Sequence, residues 1–323
     1  MAELRFIVDT EEPVSVKTFL RGRNGISARL LAKLKHREGG ITCNGQPIRS
    51  IDTVRAGDVL VLDMGESAAA EPNPSLHAPI VYENASLVVF DKPAGMPVHE
   101  SHGHRGDTLA NLFAHLYPEL SFRPINRLDK DTSGLCLVAK DAHSANLLQG
   151  SCAKVYFAVA EGVTDEVGTI DAPIARERES VILRCVRADG RPSVTHYRRI
   201  AENGRYSLAE VRLETGRTHQ IRVHFAYIGH PLAGDDMYGG STADISRQAL
   251  HCGRLTFRLP LTGEEVTVEA DLPEDIRALI CPRGAVKQSA EYIGIFVQTY
   301  KIPARRPFSP RFPVVILRKR CII

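Results

Sequence analysis

A short stretch, DMGESAAAEPNPS at 63–75, splits this chain before any other feature can act. Acidic, and rich in Ala and Pro, it has no apolar face to bury and reads as a linker. It leaves a small unit over residues 1–63, a linker over 64–79, and a main domain over 80–283. The remaining residues, 284–323, differ in kind: eight basic residues against one acid, Glu291, with four prolines. That basic tail is expected to lie outside the core.

Within the small unit, charge is the informative signal. The whole chain carries only +3, but seven basic residues and no acid fall between Lys17 and Arg37. Ser27 can cap a helix over about 28–37, with Leu30, Leu31 and Leu34 on one side and Arg29, Lys33 and Arg37 recurring on another. Such a stripe is either a solvated face or a phosphate-binding one, and the lack of acids favours contact with RNA. Two short strands about Asn44-Gly45, and a closing strand at 57–62, complete the unit.

The main domain reads as runs of strands with few helices. LVVFD (87–91), LCLVA (135–139), VYFAV (155–159) and the alternating segment 207–213 are strand-like. Asp107 is placed to cap a helix carrying Leu109, Leu112, Phe113 and Leu116, and further helices open at Asp141 and near 271–273. Without regular strand–helix alternation, the expectation is an α+β domain on a mostly antiparallel mixed sheet. At 43% hydrophobic and 24% charged, the chain suits a globular protein; it has no apolar run of membrane-spanning length and no leader-like N-terminus, so the cytoplasm is expected. Seven cysteines without a C-x-x-C pair point to reduced thiols rather than a zinc or disulfide framework.

Three clusters carry possible chemistry. In NRLDKDTSG (126–134), Asp129 sits among basic and hydroxyl residues on a loop before a buried strand. Taken alone, the loop reads equally as a turn that ends a strand, and Asp129 with Asp131 as an incomplete metal site. In the segment 215–231, Thr218 can cap a helix whose Ile221, Phe225 and Ile228 face the core. Arg222 then emerges near its start, either exposed or half-buried and in need of a carboxylate, for which Asp129 is the expected partner. Third, Lys154 and Tyr156 share a strand face, where Tyr156 reads as a core aromatic unless a ligand stacks on it. His99, His102 and His104 match no tight zinc spacing, so no metal is expected.

With RLDKDTSGL (127–135), the chain resembles the A/D type of large-subunit ribosomal pseudouridine synthases. VYENASLVVFDKPAGMPVH (81–99), KVY (154–156), GRTHQIRVH (216–224) and GHPLAGDDMYG (229–239) resemble that family's other motifs, in the same order. Residues 14–62 resemble the small S-four-like RNA-binding domain that often precedes its catalytic domain. The family has His where Asn126 stands and often Asn where Asp91 stands, so the hold on the RNA is where this chain departs.

The resemblance implies a pseudouridine synthase fold and isomerisation of uridine within RNA, with no cofactor and no metal. It implies large-subunit ribosomal RNA as the commonest target, transfer RNA or a non-catalytic role in ribosome assembly as alternatives, and a monomer with no membrane partner. By position, Asp129 would be the nucleophile, Tyr156 the ring that stacks on uracil, and Arg222 the cation that keeps Asp129 ionised. Arg127 would fill the space left by the extruded base, with Ile221 lining the pocket and Arg217, His219 and Gln220 contributing to substrate binding.

Overall fold

The computed structural model describes residues 3–26, 28–37, 39–63, 70–101, 103–177 and 182–280, apart from the side chains of Arg29 and Lys33. The expected cap Ser27, His102 and the basic tail over 284–323 lie outside the described residues. The chain divides into two compact units between Ala69 and Ala70.

In the first unit, β1 (Glu3–Ile7), β3 (Ile41–Cys43), β4 (Gln46–Pro47) and β6 (Val59–Asp63) form a sheet ordered β1-β6-β3-β4. The β3–β4 turn uses Asn44 and Gly45 at φ 49° and 82°, the left-handed pair that a two-residue hairpin requires. A second ladder pairs β2 (Val14–Ser15) with β5 (Thr53–Val54). Helix α1 (Val16–Thr18), capped by Ser15, runs into a π turn at Phe19–Arg23, and α2 (Ala28–Lys35) follows. Leu31 and Leu34 of α2 are buried with Val16, Leu20, Ile41 and Leu60, as the leucine spacing predicts. Arg37 falls beyond the end of α2 and pairs with Asp63 at 3.2 Å. One charge of the expected stripe therefore closes the unit on itself.

The second unit is built on one ten-stranded sheet. Its strands are β7 (Ile80–Glu83), β8 (Leu87–Lys92), β9 (Arg123–Pro124), β10 (Ser133–Ala139), β11 (Ala153–Glu161), β12 (Val167–Asp171), β15 (Val194–Glu202), β16 (Tyr206–Leu213), β17 (Leu250–Arg258) and β18 (Glu265–Glu269). The order is β12-β15-β16-β11-β17-β10-β8-β7, with β18 paired to β17 and β9 to β10. Every pairing is antiparallel except β10 with β17, which run parallel for two residue pairs, Ser133↔His251 and Gly134↔Cys252. All seven residues of β10 are buried, which is why this strand reads as an unbroken apolar run rather than an alternating one. A separate hairpin joins β13 (Ile174–Arg176) to β14 (Arg184–Val186).

Helices cover both faces of this sheet: α3 (Leu109–Leu116), α4 (Ala142–Leu148), α5 (Gln220–Tyr227) and α6 (Glu274–Ile280). Ile221 and Phe225 of α5 join the main core with Tyr156, whereas Ile276 and Leu279 of α6 pack with Val155, Phe157 and Val159 from the opposite face of β11. Two caps differ from expectation. Thr108, not Asp107, caps α3, because Asn111 at the third helical position completes a reciprocal box with Thr108; Asp107 instead bonds His104 at 2.6 Å. Helix α5 begins behind His219 rather than Thr218, and His219 adopts φ 58°, ψ 18°. Among the described residues no helix is long and apolar enough to cross a membrane.

Candidate active site

The loop bearing Asp129 stands at the parallel seam between β10 and β17. Thr132 N–H donates to the Asp129 carbonyl at 3.2 Å, which closes a tight turn. Gly134 then enters the sheet at φ 109°, where a Cβ would come 2.3 Å from the Cys252 carbonyl oxygen, so only glycine lets the loop meet β17 this closely. The buried side chain of Asn126 ties the other leg down, donating to Leu135 O at 3.0 Å and accepting from Leu137 N at 2.8 Å. The residue that departs from the family's usual His thus acts as a brace between loop and strand. Leu128 is buried, Arg127 and Lys130 are exposed, and Asp129 between them keeps 29% of its side chain accessible.

Arg222 reaches this carboxylate from the first turn of α5. The expected pair is present: Nη1 donates to Asp129 Oδ2 at 3.3 Å. The stronger partner, however, is Asp235, which takes Nε and Nη2 in a bidentate pair at 2.7 Å each. Asp235 is fully buried and Arg222 nearly so. Burial alone would lower the Arg222 pKa, but the bonds and charge of Asp235, and then of Asp129, outweigh it and raise the value, so the guanidinium stays charged. Its Cζ lies 5.0 Å from the Tyr238 ring centre, an added cation–π contact.

The left-handed backbone at His219 turns its ring toward the same carboxylate, with Nε2 3.9 Å from Asp129 Oδ2. On the other side, His219 Nδ1 meets the Tyr238 hydroxyl at 2.7 Å, and that hydroxyl accepts from the Arg184 backbone N–H at 3.1 Å. Burial pushes the Tyr238 phenol up to about 12, so it keeps its proton. The imidazole pKa is lowered, chiefly by burial and then by Arg222 and Arg184 against the pull of Asp129.

Tyr156, on β11, is buried in the main core at a bulge between Val155 and Tyr156, and burial raises its hydroxyl pKa well above 10. It offers a neutral ring. Ile221 is buried in the same core. Gln220 is engaged within the protein: Oε1 accepts from Thr215 Oγ1 and Arg217 N, and Nε2 donates to Val194 O and Thr195 Oγ1. With its amide saturated, Gln220 braces the loop against β15 and has no donor or acceptor left for a base. Arg217, half-buried, directs Nε to Pro192 O at 3.4 Å.

The sequence reading gave no role to Asp235, Tyr238 or Lys92, although all three lie inside quoted motifs. Lys92 is fully buried and donates to three backbone carbonyls, those of Pro93, Met96 and Lys130 at 2.8, 2.8 and 3.0 Å. Burial draws its pKa down to about 8. In the described part of the histidine loop, His99 packs edge-on to Phe122 and His104 bonds Asp107, and no metal-holding cluster occurs among the described residues.

The seam also carries a pH-sensitive group. His251 Nδ1 and Ser133 Oγ lie 3.0 Å apart, and burial, with the charge of Arg247, lowers the His251 pKa to about 4. The unfolded ring takes a proton near its ordinary value while the folded ring refuses it. His251 therefore contributes stability that is complete above about pH 6.5 and is lost as pH falls through about 4, up to about 3 kcal/mol. Urea unfolding of wild type at pH 7 and 4.5 should show this loss, and His251→Gln a shallower one, with residual slope from His219 and His224, whose pKa values burial also lowers. Equal slopes would remove His251 from the acid response.

Residues 86–227 match the family described as RNA pseudouridylate synthase. An uncharacterized RNA pseudouridine synthase of Bacillus subtilis, YjbO, is 38% identical over 274 residues, 80% of this chain and 96% of the relative. Ribosomal large subunit pseudouridine synthase D of Pseudomonas aeruginosa is 38% identical over 268 residues, 76% of this chain and 84% of the relative. Among solved structures, human RNA pseudouridylate synthase domain containing 1 shares the fold at a TM-score of 0.55 and 24% identity, covering 71% of this chain and 98% of that one.

Proposed function

Because this chain belongs to the RNA pseudouridine synthases, isomerases that convert uridine to pseudouridine within RNA, we propose that Asp129 is its nucleophile and large-subunit ribosomal RNA its substrate. The observation that carries the first half is the arrangement around Asp129: a partly accessible carboxylate whose partner guanidinium, Arg222, is already committed to Asp235. Arg222 pairs with Oδ2 of Asp129 through Nη1 without wrapping both carboxylate oxygens, so one edge is left open toward the substrate. The second half rests on relatives named as large-subunit ribosomal enzymes.

The reaction breaks the bond from base nitrogen 1 to the sugar, turns the uracil, and joins carbon 5 to the anomeric carbon; a proton leaves carbon 5 and one is gained at nitrogen 1. Nothing else is consumed. Asp129 attacks the anomeric carbon or ring carbon 6, or takes the proton whose loss gives a glycal. Uracil must first leave the stack, at a cost of a few kcal/mol, offset by stacking on Tyr156 and by Arg127 occupying the vacated space. Ile221 completes the apolar wall. His219, whose Nε2 lies 3.9 Å from Asp129 Oδ2, and Arg217 serve as the motif's contacts to the substrate.

The unit over residues 1–63 serves as the S-four-like RNA-binding domain, and the protein acts as a cytoplasmic monomer. Replacing Arg29, Lys33 and Arg37 with Gln should weaken RNA binding and flatten its salt dependence by roughly 0.7 in log–log slope per lost single-strand phosphate contact. Arg37, engaged by Asp63, should contribute least. An unchanged slope would make the stripe a solvated face.

The test of function is incubation of the purified protein with unmodified large-subunit ribosomal RNA and, separately, transfer RNA, followed by chemical labelling of pseudouridine and primer extension. New signal at one or a few ribosomal uridines is expected. Signal in transfer RNA alone would reassign the substrate, and none in either would reject the proposal.

A further inference from the structure

The four residues after Asp129 are each gripped by a different side chain. Lys92 Nζ holds Lys130 O at 3.0 Å, Arg247 Nη1 holds Asp131 O at 3.2 Å, Gln248 Nε2 holds Thr132 Oγ1 at 3.3 Å, and His251 Nδ1 meets Ser133 Oγ at 3.0 Å. Three of these grips come from residues 247–251, where the chain enters β17. Arg247 stands apart because it is itself anchored: Nε and Nη2 form a fork on Asp275 of α6 at 2.7 and 2.9 Å.

The backbone of Arg247 has a second contact. Gly234, at φ 74°, lies so close to it that a Cβ would sit 2.0 Å from the Arg247 carbonyl oxygen. The next residue is Asp235, which holds Arg222. One residue thus touches both halves of the site, the Asp129 loop through its side chain and the Asp235 turn through its main chain.

We infer that Arg247, held by Asp275, is a positioning residue that fixes the spacing between Asp129 and Arg222. This rests on the reading of Asp129 as the nucleophile. The planar fork matters: a guanidinium can bond both oxygens of Asp275 and still present Nη1 to Asp131 O, which a lysine ammonium cannot do in the same geometry. Displacement of a reacting group by about 1 Å is enough to lower a rate by roughly 100-fold. Helix α6, whose Ile276 and Leu279 are buried against the far face of the sheet, thereby sets the position of a loop on the other side of β17.

The test is the single-turnover rate of pseudouridine formation on unmodified large-subunit ribosomal RNA, with enzyme in saturating excess so that the rate does not depend on the folded fraction. Arg247→Lys should slow it by roughly 10- to 100-fold and Asp275→Asn by roughly 3- to 10-fold, with RNA affinity within about twofold of wild type. Ile276→Val, which loosens α6 without touching the fork, should leave the rate unchanged. Wild-type rates in both fork variants, or an equal loss in Ile276→Val, would overturn the inference. Should Arg247→Lys fail to fold, Asp275→Asn, at a carboxylate 45% exposed, decides the matter alone. Product from Asp129→Asn in the same assay would instead strike the nucleophile assignment, and no product from wild type would strike the proposed function, so the three failures are distinct.

Discussion

Asp129→Asn should fold as wild type does, bind RNA within about twofold, and make no detectable pseudouridine, a loss of at least about four orders of magnitude in turnover. The substitution preserves the size of the side chain and its ability to accept from Arg222 Nη1 at the observed 3.3 Å. What it removes is the anionic oxygen. Because Asp129 is only partly buried and Arg222 is held chiefly by Asp235, the neutral amide leaves no strongly buried charge without a partner, so stability should change by less than about 1 kcal/mol. The checks are turnover on ribosomal RNA, filter binding and a thermal melt. Residual product above the no-enzyme background would remove Asp129 from the chemistry.

Asp235→Ala should give the largest loss of stability at the site, about 3–5 kcal/mol, because it strips the bidentate partner from a buried guanidinium. Asp235→Asn separates the catalytic consequence from the structural one. With the anionic fork gone, Arg222 turns to Asp129 as its remaining carboxylate and holds both its oxygens, tightening the ground state at the expense of the open edge. Activity should fall by at least about 100-fold while the variant remains folded. Urea unfolding and single-turnover rates, measured side by side, test the two effects. A stable Asp235→Asn with wild-type rate would mean that Asp129 alone determines how Arg222 is held.

Local chemistry explains what could be read in advance. Segments 87–92 and 133–139 are each paired on both sides within the sheet, and their apolar runs announce it. Asn44-Gly45 specifies its hairpin because both residues tolerate positive φ. In α5 the spacing of Ile221 and Phe225 placed both in the core, and Arg222, buried beside them, meets the carboxylate that a buried guanidinium needs.

The errors have equally definite causes. Asp107 and Thr108 are both competent caps, and the choice fell to Thr108 because Asn111 stands where it can return the bond. No residue preference announces a left-handed histidine; His219 takes that conformation where its ring lies between Tyr238 and Asp129. Lysine is ordinarily exposed, and only the turn that gathers three carbonyls around Lys92 allows it to be buried. Asp235 and Arg247 act through contacts 13 and 116 residues distant along the chain, a separation at which periodicity carries no signal.

Conversion of uridine to pseudouridine in large-subunit ribosomal RNA, through Asp129, is the proposal on which the rest depends. The most direct measurement is a map of pseudouridine across total RNA from cells with the gene, without it, and without it but supplied with either wild type or Asp129→Asn. The prediction is that one or a few large-subunit sites vanish on deletion, return with wild type, and stay absent with Asp129→Asn. An unchanged map, or sites restored equally by both proteins, would contradict it.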